Sequence, residues 1–285
     1  MAASATDPSL PRSLRVVGIP IAGLLLFCFF LYLGFPFDPL GRRIASEVQR
    51  SNGVRIEFRQ LDPRLYWLGP GIEASAVRAT LPDGTVYAFE RVGLRPAWSL
   101  AWLRGDPAVV LDLSSAFGDA KGTLVLGSLG GFDGDLASLA VGRLPLESLT
   151  DLALLDGLLD AKVDVRMNEE GPVGDATFTA RDGSLAIARF PVEIPFATLE
   201  GKLRFGGDAF VTVERFAFEG PMVNGTVTGS IQRAPRFAQA PVRLEADLEA
   251  KANVRGAMQG AGIRFDRGGM AKMRITGTVS NPNVR

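Results

Sequence analysis

Two pairs of neighbouring acidic residues are the best candidates for a reactive site in this sequence, by residue type and spacing. Paired carboxylates carry out glycoside hydrolysis, and Asp133 with Asp135 also offers the oxygen ligands that calcium prefers. Glu169 with Glu170 forms the second pair. Both pairs lie in or near predicted turns, where acidic residues are favoured for other reasons. We therefore expect solvated acids at both places, and a calcium site would need further ligands that the sequence does not place.

Other reactive residue types are scarce. The chain has no histidine and a single cysteine, Cys28, which lies in a strongly apolar stretch. Histidine is the commonest general base and metal ligand, and zinc sites need several Cys or His ligands. No Ser-x-x-Lys or phosphate-binding glycine motif occurs, and the glycine-rich segment 127–134 is predicted to be a turn. The sequence therefore predicts a protein that is not an enzyme and uses no metal or cofactor.

Charge and composition limit the classes of partner that this protein could bind. The 31 basic and 31 acidic residues give a formal net charge of zero, whereas nucleic-acid binding needs a basic patch or stripe. We therefore expect no nucleic-acid partner. Apolar residues make up 47% of the 285 residues, a content that excludes disorder by composition and allows a sizeable core.

An uncharged run of twenty residues, 16–35, predicts a membrane anchor. About 20 apolar residues are what a helix needs to cross a bilayer. A secretory signal peptide is the alternative, but its apolar core is shorter and ends in small residues, while this run ends in bulky ones. We expect a cytoplasmic tail over 1–15 and a transmembrane helix over 16–36. The predicted anchor residues are Val16, Leu24, Leu25, Leu26, Phe27, Phe30 and Leu33.

The part of the chain after the anchor, residues 37–285, is predicted to be one β-rich domain. A short amphipathic helix over 39–51 ends at Asn52-Gly53, after which apolar residues alternate with polar ones from Val54. The fold class is therefore mainly β: a large antiparallel sheet, either curved or a sandwich, with few short helices. The predicted turns are Pro82-Asp83-Gly84, Gly130-Gly131, Asp133-Gly134, Glu170-Gly171-Pro172, Asp182-Gly183, Gly206-Gly207-Asp208 and Asn224-Gly225.

Two segments are predicted to interrupt the strands. Residues 96–105 resemble a single helical turn that stops at a glycine, and residues 146–155 resemble a short helix on the sheet edge. There is no alternation of strands with long helices, so the α/β folds are disfavoured.

Residues 242–255 form the clearest two-faced strand. Apolar and polar residues alternate over fourteen positions without a break, whereas most strands have about 5–6 residues. A bulge that divides this strand is one alternative, and an ordinary solvated sheet is another. The apolar positions predict an apolar groove, and its candidate residues are Val242, Leu244, Ala246, Leu248 and Val254.

The order of these features resembles a known family. An N-terminal span and a short helix lead to Val54–Phe58 and Leu65–Ile72, then to the segment Val92–Gly105, and near the end to the phrase Arg274–Pro282. This combination resembles the type II secretion system protein N family and, more broadly, the AsmA-like proteins of Gram-negative envelopes. The resemblance covers nearly the whole chain, through loose apolar and glycine patterns. No catalytic residues are implied by it.

The resemblance implies a location and two functions. Basic residues flank the anchor on both sides, so charge leaves its orientation open, and the resemblance implies a single-pass inner-membrane protein with its bulk in the periplasm. One implied function is an accessory or scaffold component of the type II protein secretion system. The alternative is an AsmA-like lipid-binding or lipid-transfer protein. The expected partners are inner-membrane lipids, envelope or secretion-system proteins, and phospholipid as cargo in the second case.

Overall fold

A computed structural model gives the fold. It describes residues 19–66, 69–82, 84–98, 105–126, 130–143, 152–187, 193–236, 239–251, 255–260 and 264–284. Within these ranges lie three helices: α1 (Ile19–Leu33), α2 (Phe37–Asn52) and α3 (Arg255–Gly260). The amphipathic helix predicted over 39–51 is confirmed as α2, and Gly53 ends it in a left-handed conformation, with its N–H donating to the carbonyl oxygen of Gln49 at 3.0 Å.

The described residues form one antiparallel sheet of fifteen strands that is not closed. Strands from β3 onward pair with their neighbours in the sequence, while β1 and β2 lie end to end along β3. The strands are β1 (Arg55–Glu57), β2 (Gln60–Tyr66), β3 (Gly69–Thr80), β4 (Val86–Pro96), β5 (Ala108–Ser115), β6 (Gly118–Val125), β7 (Gly131–Ala140), β8 (Leu152–Asn168), β9 (Gly171–Ile187), β10 (Ile194–Phe205), β11 (Ala209–Glu219), β12 (Val223–Gln232), β13 (Pro241–Ala250), β14 (Met270–Thr278) and β15 (Asn281–Val284).

This topology confirms the mainly β class and decides between the two predicted architectures. In the part of the chain that the structure describes, all strands belong to one sheet, so a sandwich of two separate sheets is not formed. The alternation predicted within 242–250 is present in β13, where Val242, Ala246 and Leu248 are buried and Arg243 and Glu245 are exposed. The sheet therefore has an apolar face and a polar face.

The best-buried part of the sheet lies between β9 and β14. Its core consists of Ala180, Ile194, Phe196, Leu199, Phe218, Val223, Leu248, Ala250 and Ala271, and we call this set the closed core. Several members lie side by side across consecutive strands: Ala180 pairs with Leu199, and Leu199 pairs with Phe218. Met222 and Phe265, from connections between strands, pack against them. The closed core thus joins six strands through contacts on the apolar face.

Three predicted turns lie inside strands, and those predictions are wrong. Asp133-Gly134 lies in β7, Asp182-Gly183 in β9 and Asn224-Gly225 in β12. The physical reason is that each glycine lies beneath a ring: a Cβ added to Gly134, Gly183 or Gly225 would come within 2.8 Å of a phenylalanine carbon. These glycines therefore make room for aromatic side chains on the apolar face instead of turning the chain.

The long strand predicted over 242–255 is shorter than expected. Its strand β13 ends at Ala250, and Arg255 begins helix α3, while 252–254 lie outside the described residues. Ala250 pairs with Val223, the first residue of β12, so the neighbouring strand ends there. The N–H of Lys251 instead donates to the carbonyl oxygen of Met222 at 3.0 Å. β13 ends at Ala250 because β12 begins at Val223 and has no further strand residue with which β13 could pair.

The prediction of a helix over 146–155 is wrong for residues 152–155, which the structure describes. Residues 152–155 begin β8, and Leu152 pairs with Ile187 of β9; residues 146–151 lie outside the described residues. The long neighbour β9 supplies backbone partners that a local pattern does not reveal. In the segment 96–105, Pro96 is the last residue of β4, and 99–104, where the helical turn was expected, are not described.

The predicted anchor stays a prediction. Among the described residues, no single helix has both the length and the hydropathy needed to cross a bilayer. The segments Ile19–Tyr32 and Phe37–Arg50 satisfy these criteria only as a pair, and the chain bends by 64° between them. Val16 lies outside the described residues, and Leu33 is the last residue of α1.

A substitution tests the pairing of glycine with phenylalanine. In Gly225→Ala the new Cβ would lie 2.5 Å from Phe218 and 2.6 Å from Leu248, two buried side chains. Because overpacking of a core costs about 1–3 kcal/mol, we expect the variant to unfold at lower temperature, measured by circular dichroism. Gly256→Ala is the control, since no atom lies within 4 Å of its added Cβ. Equal unfolding temperatures in the two variants would contradict the packing described.

Candidate functional site

Two apolar rows cross the sheet at right angles to its strands. Directly paired residues point to the same side of a sheet, so the pairings trace each row from β2 to β14. The central row is Pro63, Ile72, Leu94, Leu111, Gly122, Gly134, Val163, Ala176, Leu203, Val213, Gly229, Leu244 and Ile275. The second row is Leu61, Ala74, Val92, Leu113, Ala120, Leu136, Ala161, Phe178, Gly201, Phe216, Val227, Ala246 and Met273.

The rows form an apolar track with no charged side chain in either of them. Adjacent strands lie about 4.8 Å apart, so thirteen strands extend the track over roughly 58 Å. The hydrocarbon core of a bilayer is about 30 Å thick, and one acyl chain extends through about half of it. The track is therefore several acyl chains long.

Burial differs between the track, whose large side chains are half-buried from β3 to β14, and the row of the closed core beside it. Around the closed core, Leu199, Phe218 and Leu248 are each at most 6% exposed. Between β4 and β8, the large apolar side chains of the same face are half-buried. We call this second set the open segment: Val92, Leu94, Val109, Leu111, Leu113, Leu124, Phe132, Leu136, Val163 and Val165. Its five strands span about 19 Å, which is close to the length of one acyl chain.

A phenylalanine and two glycines form the middle of the open segment. Gly122 and Gly134 face each other on β6 and β7. A Cβ on either glycine would come within 2.8 Å of the Phe132 ring, which therefore lies directly over both. The ring and the two glycines together form a flat apolar surface that carries no polar side chain. Such a surface supports contacts with methylene groups and offers no hydrogen bond to a polar ligand.

The predicted groove residues lie on this face, mostly in its buried part. Leu244 is in the central row and is half-buried, and Ala246 is in the second row. Val242, Ala246 and Leu248 are buried, with Leu248 in the closed core. Val254 lies outside the described residues. The groove prediction did not include the strands of the open segment.

The acidic pairs lie apart from the track. Asp133 and Asp135 are exposed within β7, where Asp135 pairs with Lys121 and Lys162 on the polar face. Glu169 and Glu170 are exposed in the turn between β8 and β9. The expectation of solvated acids fits both positions, although Asp133 and Asp135 belong to a strand and not to a turn. Within the described residues, no group of three metal-ligating side chains is placed to hold an ion.

Ion pairs cover the polar face. Arg274 lies 3.0 Å from Glu245, Arg204 lies 3.5 Å from Asp175, and Lys202 lies 2.7 Å from Glu214. The hydrogen bond from Lys202 lowers the pKa of Glu214, and the nearby charge of Arg204 lowers it further. Exposed pairs of this kind contribute little stability individually. Their charged groups keep this face hydrated, and the opposite face is the apolar one.

Tyr66 is the second residue with a shifted pKa. Partial burial raises the pKa of its hydroxyl, and the charges of Glu73 and Asp112 raise it further. A Cβ added to Gly93 would meet the Tyr66 hydroxyl oxygen at 2.6 Å, so the phenol lies over that glycine. Tyr66 therefore remains protonated at neutral pH and packs as a neutral side chain near the start of the sheet.

The end of α1 contacts the start of the sheet. The Tyr32 hydroxyl accepts a hydrogen bond from the N–H of Gly71 at 3.2 Å and lies next to the carbonyl oxygens of Arg64 and Gly71. Its ring packs edge-on against Phe37, which is buried. Of the predicted anchor residues, Leu24, Leu25, Leu26, Phe27 and Phe30 are all more than half exposed. An apolar, unburied helix is thus attached to the β2–β3 hairpin.

The alternation of apolar and polar residues does not identify the open segment. Ala108, Val109, Val110 and Leu111 are consecutive apolar residues, so the period of two is hidden there. Only the pairing of Val110 with Thr123, and of Leu111 with Gly122, shows which residue belongs to which face. Glycines such as Gly122 and Gly134 carry no hydrophobic signal, although they complete the track.

Comparisons with known proteins leave the resemblance untested, since no family model, curated protein or solved structure matches this chain.

A pair of truncations tests the division between the open segment and the closed core. Leu199→Ala removes a side chain that is 1% exposed, and such truncations cost about 2–5 kcal/mol. Leu111→Ala removes a half-buried side chain, so we expect a loss of less than half that amount. Chemical denaturation of the full chain measures both. A loss at Leu111 equal to that at Leu199 would contradict an open segment.

Proposed function

We propose that this chain is a membrane-anchored envelope protein whose open segment binds the acyl chains of lipids. The observation that carries the proposal is the pair of uninterrupted apolar rows, whose large side chains are only half-buried between β4 and β8. Apolar side chains left incompletely buried over this length are unfavourable in water. Acyl chains match it because they need apolar contact and no hydrogen-bonding partner.

The dimensions support this ligand class. The open segment spans about 19 Å across its strands, and each methylene group removed from water contributes about 0.8 kcal/mol. Binding of one acyl chain would therefore bring many such contributions at once. The continuation of the rows to β14 supports transfer along the sheet as the extended form of this function.

Photocrosslinking tests lipid binding in the membrane itself. The full chain is expressed in a bacterial inner membrane with p-benzoylphenylalanine placed at Leu111, on the apolar face, or at Val110, on the polar face. Both positions are half-buried and aliphatic, and they are adjacent in β5, so they form a matched pair. We expect phospholipid crosslinks from Leu111 and not from Val110, detected by mass spectrometry after lipid extraction.

Two results would count against lipid binding. Equal phospholipid yields from the two positions would mean that the crosslinks do not report on the apolar face. Crosslinks from Leu111 to protein, without lipid, would mean that another polypeptide covers the open segment.

The secretion-system resemblance supports a second proposal, an accessory or scaffold role in type II protein secretion. One observation favours a protein partner. β15 pairs with Ile275–Thr278 of β14, and in the described part of the chain no strand lies along the outer side of Ala271–Arg274. A free strand edge accepts an extended segment of another chain. The opposite edge of the sheet is contacted by α2, where Gly41 lies against Phe58 and Leu61.

Deletion of the gene distinguishes the two proposals. A scaffold role predicts a changed set of exported proteins, measured by comparing culture supernatants with and without the gene. A lipid-binding role predicts an unchanged set of exported proteins together with altered outer-membrane lipids. Complementation with the full chain is the control in both measurements.

A further inference from the structure

Five exposed apolar side chains belong to the segments that meet near the end of α1. We call Phe35, Leu40, Ile44, Leu65 and Trp98 the anchor-side patch, and each is between 37% and 60% exposed. They come from the α1–α2 connection, from α2, from the end of β2 and from the residues after β4. Apolar side chains of this size gathered at one end of a soluble surface mark an interaction site.

Contacts place Phe35 and the residue before Leu65 close to the end of α1. The rings of Phe35 and Phe37 lie 5.2 Å apart, and those of Tyr32 and Phe37 lie 5.5 Å apart. The Tyr32 hydroxyl is 3.1 Å from the carbonyl oxygen of Arg64, the residue before Leu65.

Trp98 is held at the same end of the sheet. A Cβ added to Gly69, next to the tip of the β2–β3 hairpin, would meet its indole nitrogen at 2.9 Å. The end of α1, the start of α2 and the hairpin tip thus form one structural unit.

The chemistry of the patch fits a lipid bilayer. The members continue the apolar surface of α1, whose side chains are exposed over residues 19–31. Tryptophan is favoured at the membrane–water interface, and interfacial helices combine tryptophan, phenylalanine and leucine with basic residues. Arg42 and Arg43 of α2 are exposed beside Leu40 and Ile44, which gives positive charge for anionic headgroups.

We propose that the anchor-side patch inserts into the same membrane surface from which α1 emerges, and that it holds the first strands of the sheet against the lipid headgroups. This docking rests on the proposed membrane anchor. It does not depend on lipid binding by the open segment. Because β4 carries the first residues of the open segment, docking at the β2–β3 hairpin and Trp98 would place the start of the open apolar face next to the bilayer.

Fluorescence quenching by labelled lipids tests the docking. Full-length protein with Cys28→Ser carries one new cysteine, labelled with bimane, and is reconstituted into vesicles of phosphatidylethanolamine and phosphatidylglycerol. A nitroxide at carbon 5 of the acyl chain is the quencher. The test positions are Leu65→Cys and Trp98→Cys. Met270→Cys, an exposed apolar position on β14 at the far end of the sheet, is the control outside the membrane, and Leu24→Cys reports on α1.

We expect quenching at positions 24, 65 and 98 to be at least threefold stronger than at 270. Quenching at 24 alone, with 65 and 98 equal to 270, would overturn the docking while the anchor stands. No quenching at 24 would overturn the anchor and the docking with it. A blue-shifted but unquenched probe at 65 and 98 would mean that protein, from a second copy or another chain, covers the patch, and would also overturn the docking.

Discussion

Cross-strand register determines which side chains share a face of this sheet, because side chains alternate between the two faces of a strand. A slip of one residue at any hairpin would turn the apolar residues of that strand to the polar face. Thirteen successive strands nevertheless keep their apolar residues on one side. Where the spacing within a strand departs from two, a bulge restores it: Leu136 and Leu139 are three apart, yet they pair with Ala161 and Leu159 of the same apolar face. Val213 and Phe216 of β11 are also three apart, and they too pair with residues of the same apolar face.

This sheet buries its apolar face unevenly. Between β9 and β14, large and small residues alternate across strands, so that Phe178 and Phe216 meet over Gly201 with ring centroids 6.2 Å apart. Strands two apart are separated by about 9.6 Å, so the rings lean toward each other and cover the face. Between β4 and β8 the ring of Phe132 lies over Gly122 and Gly134, and the large apolar side chains are half-buried. The best-buried side chains are thus concentrated in one half of the sheet.

The two ends of the sheet also differ. At the N-terminal end, Tyr32 and Phe37 attach the helices to β2 and β3, and α2 lies along the edge. Edge strands that are covered do not pair with other chains. At the C-terminal end, part of β14 has no strand on its outer side in the described residues. The open segment lies near the attached end and the closed core lies toward the free edge. A lipid ligand and a protein partner would thus meet different ends of the same sheet.

Sequence alone determined the fold class, the helix α2 with its glycine stop, and the two-faced character of β13, because these depend on periodicity within one segment. It also singled out the apolar N-terminal run. It placed Asp182-Gly183 and Asn224-Gly225 in turns, since an acid or amide followed by glycine is a local turn signal; only the rings of Phe196 and Phe218, from other strands, explain those glycines.

Tertiary structure likewise decided that β13 ends at Ala250, that all the described strands join one sheet, and that Leu111 faces the track while Val110 does not. Each of these depends on which backbone lies alongside, and that is a property of pairing between distant segments, which no local pattern records.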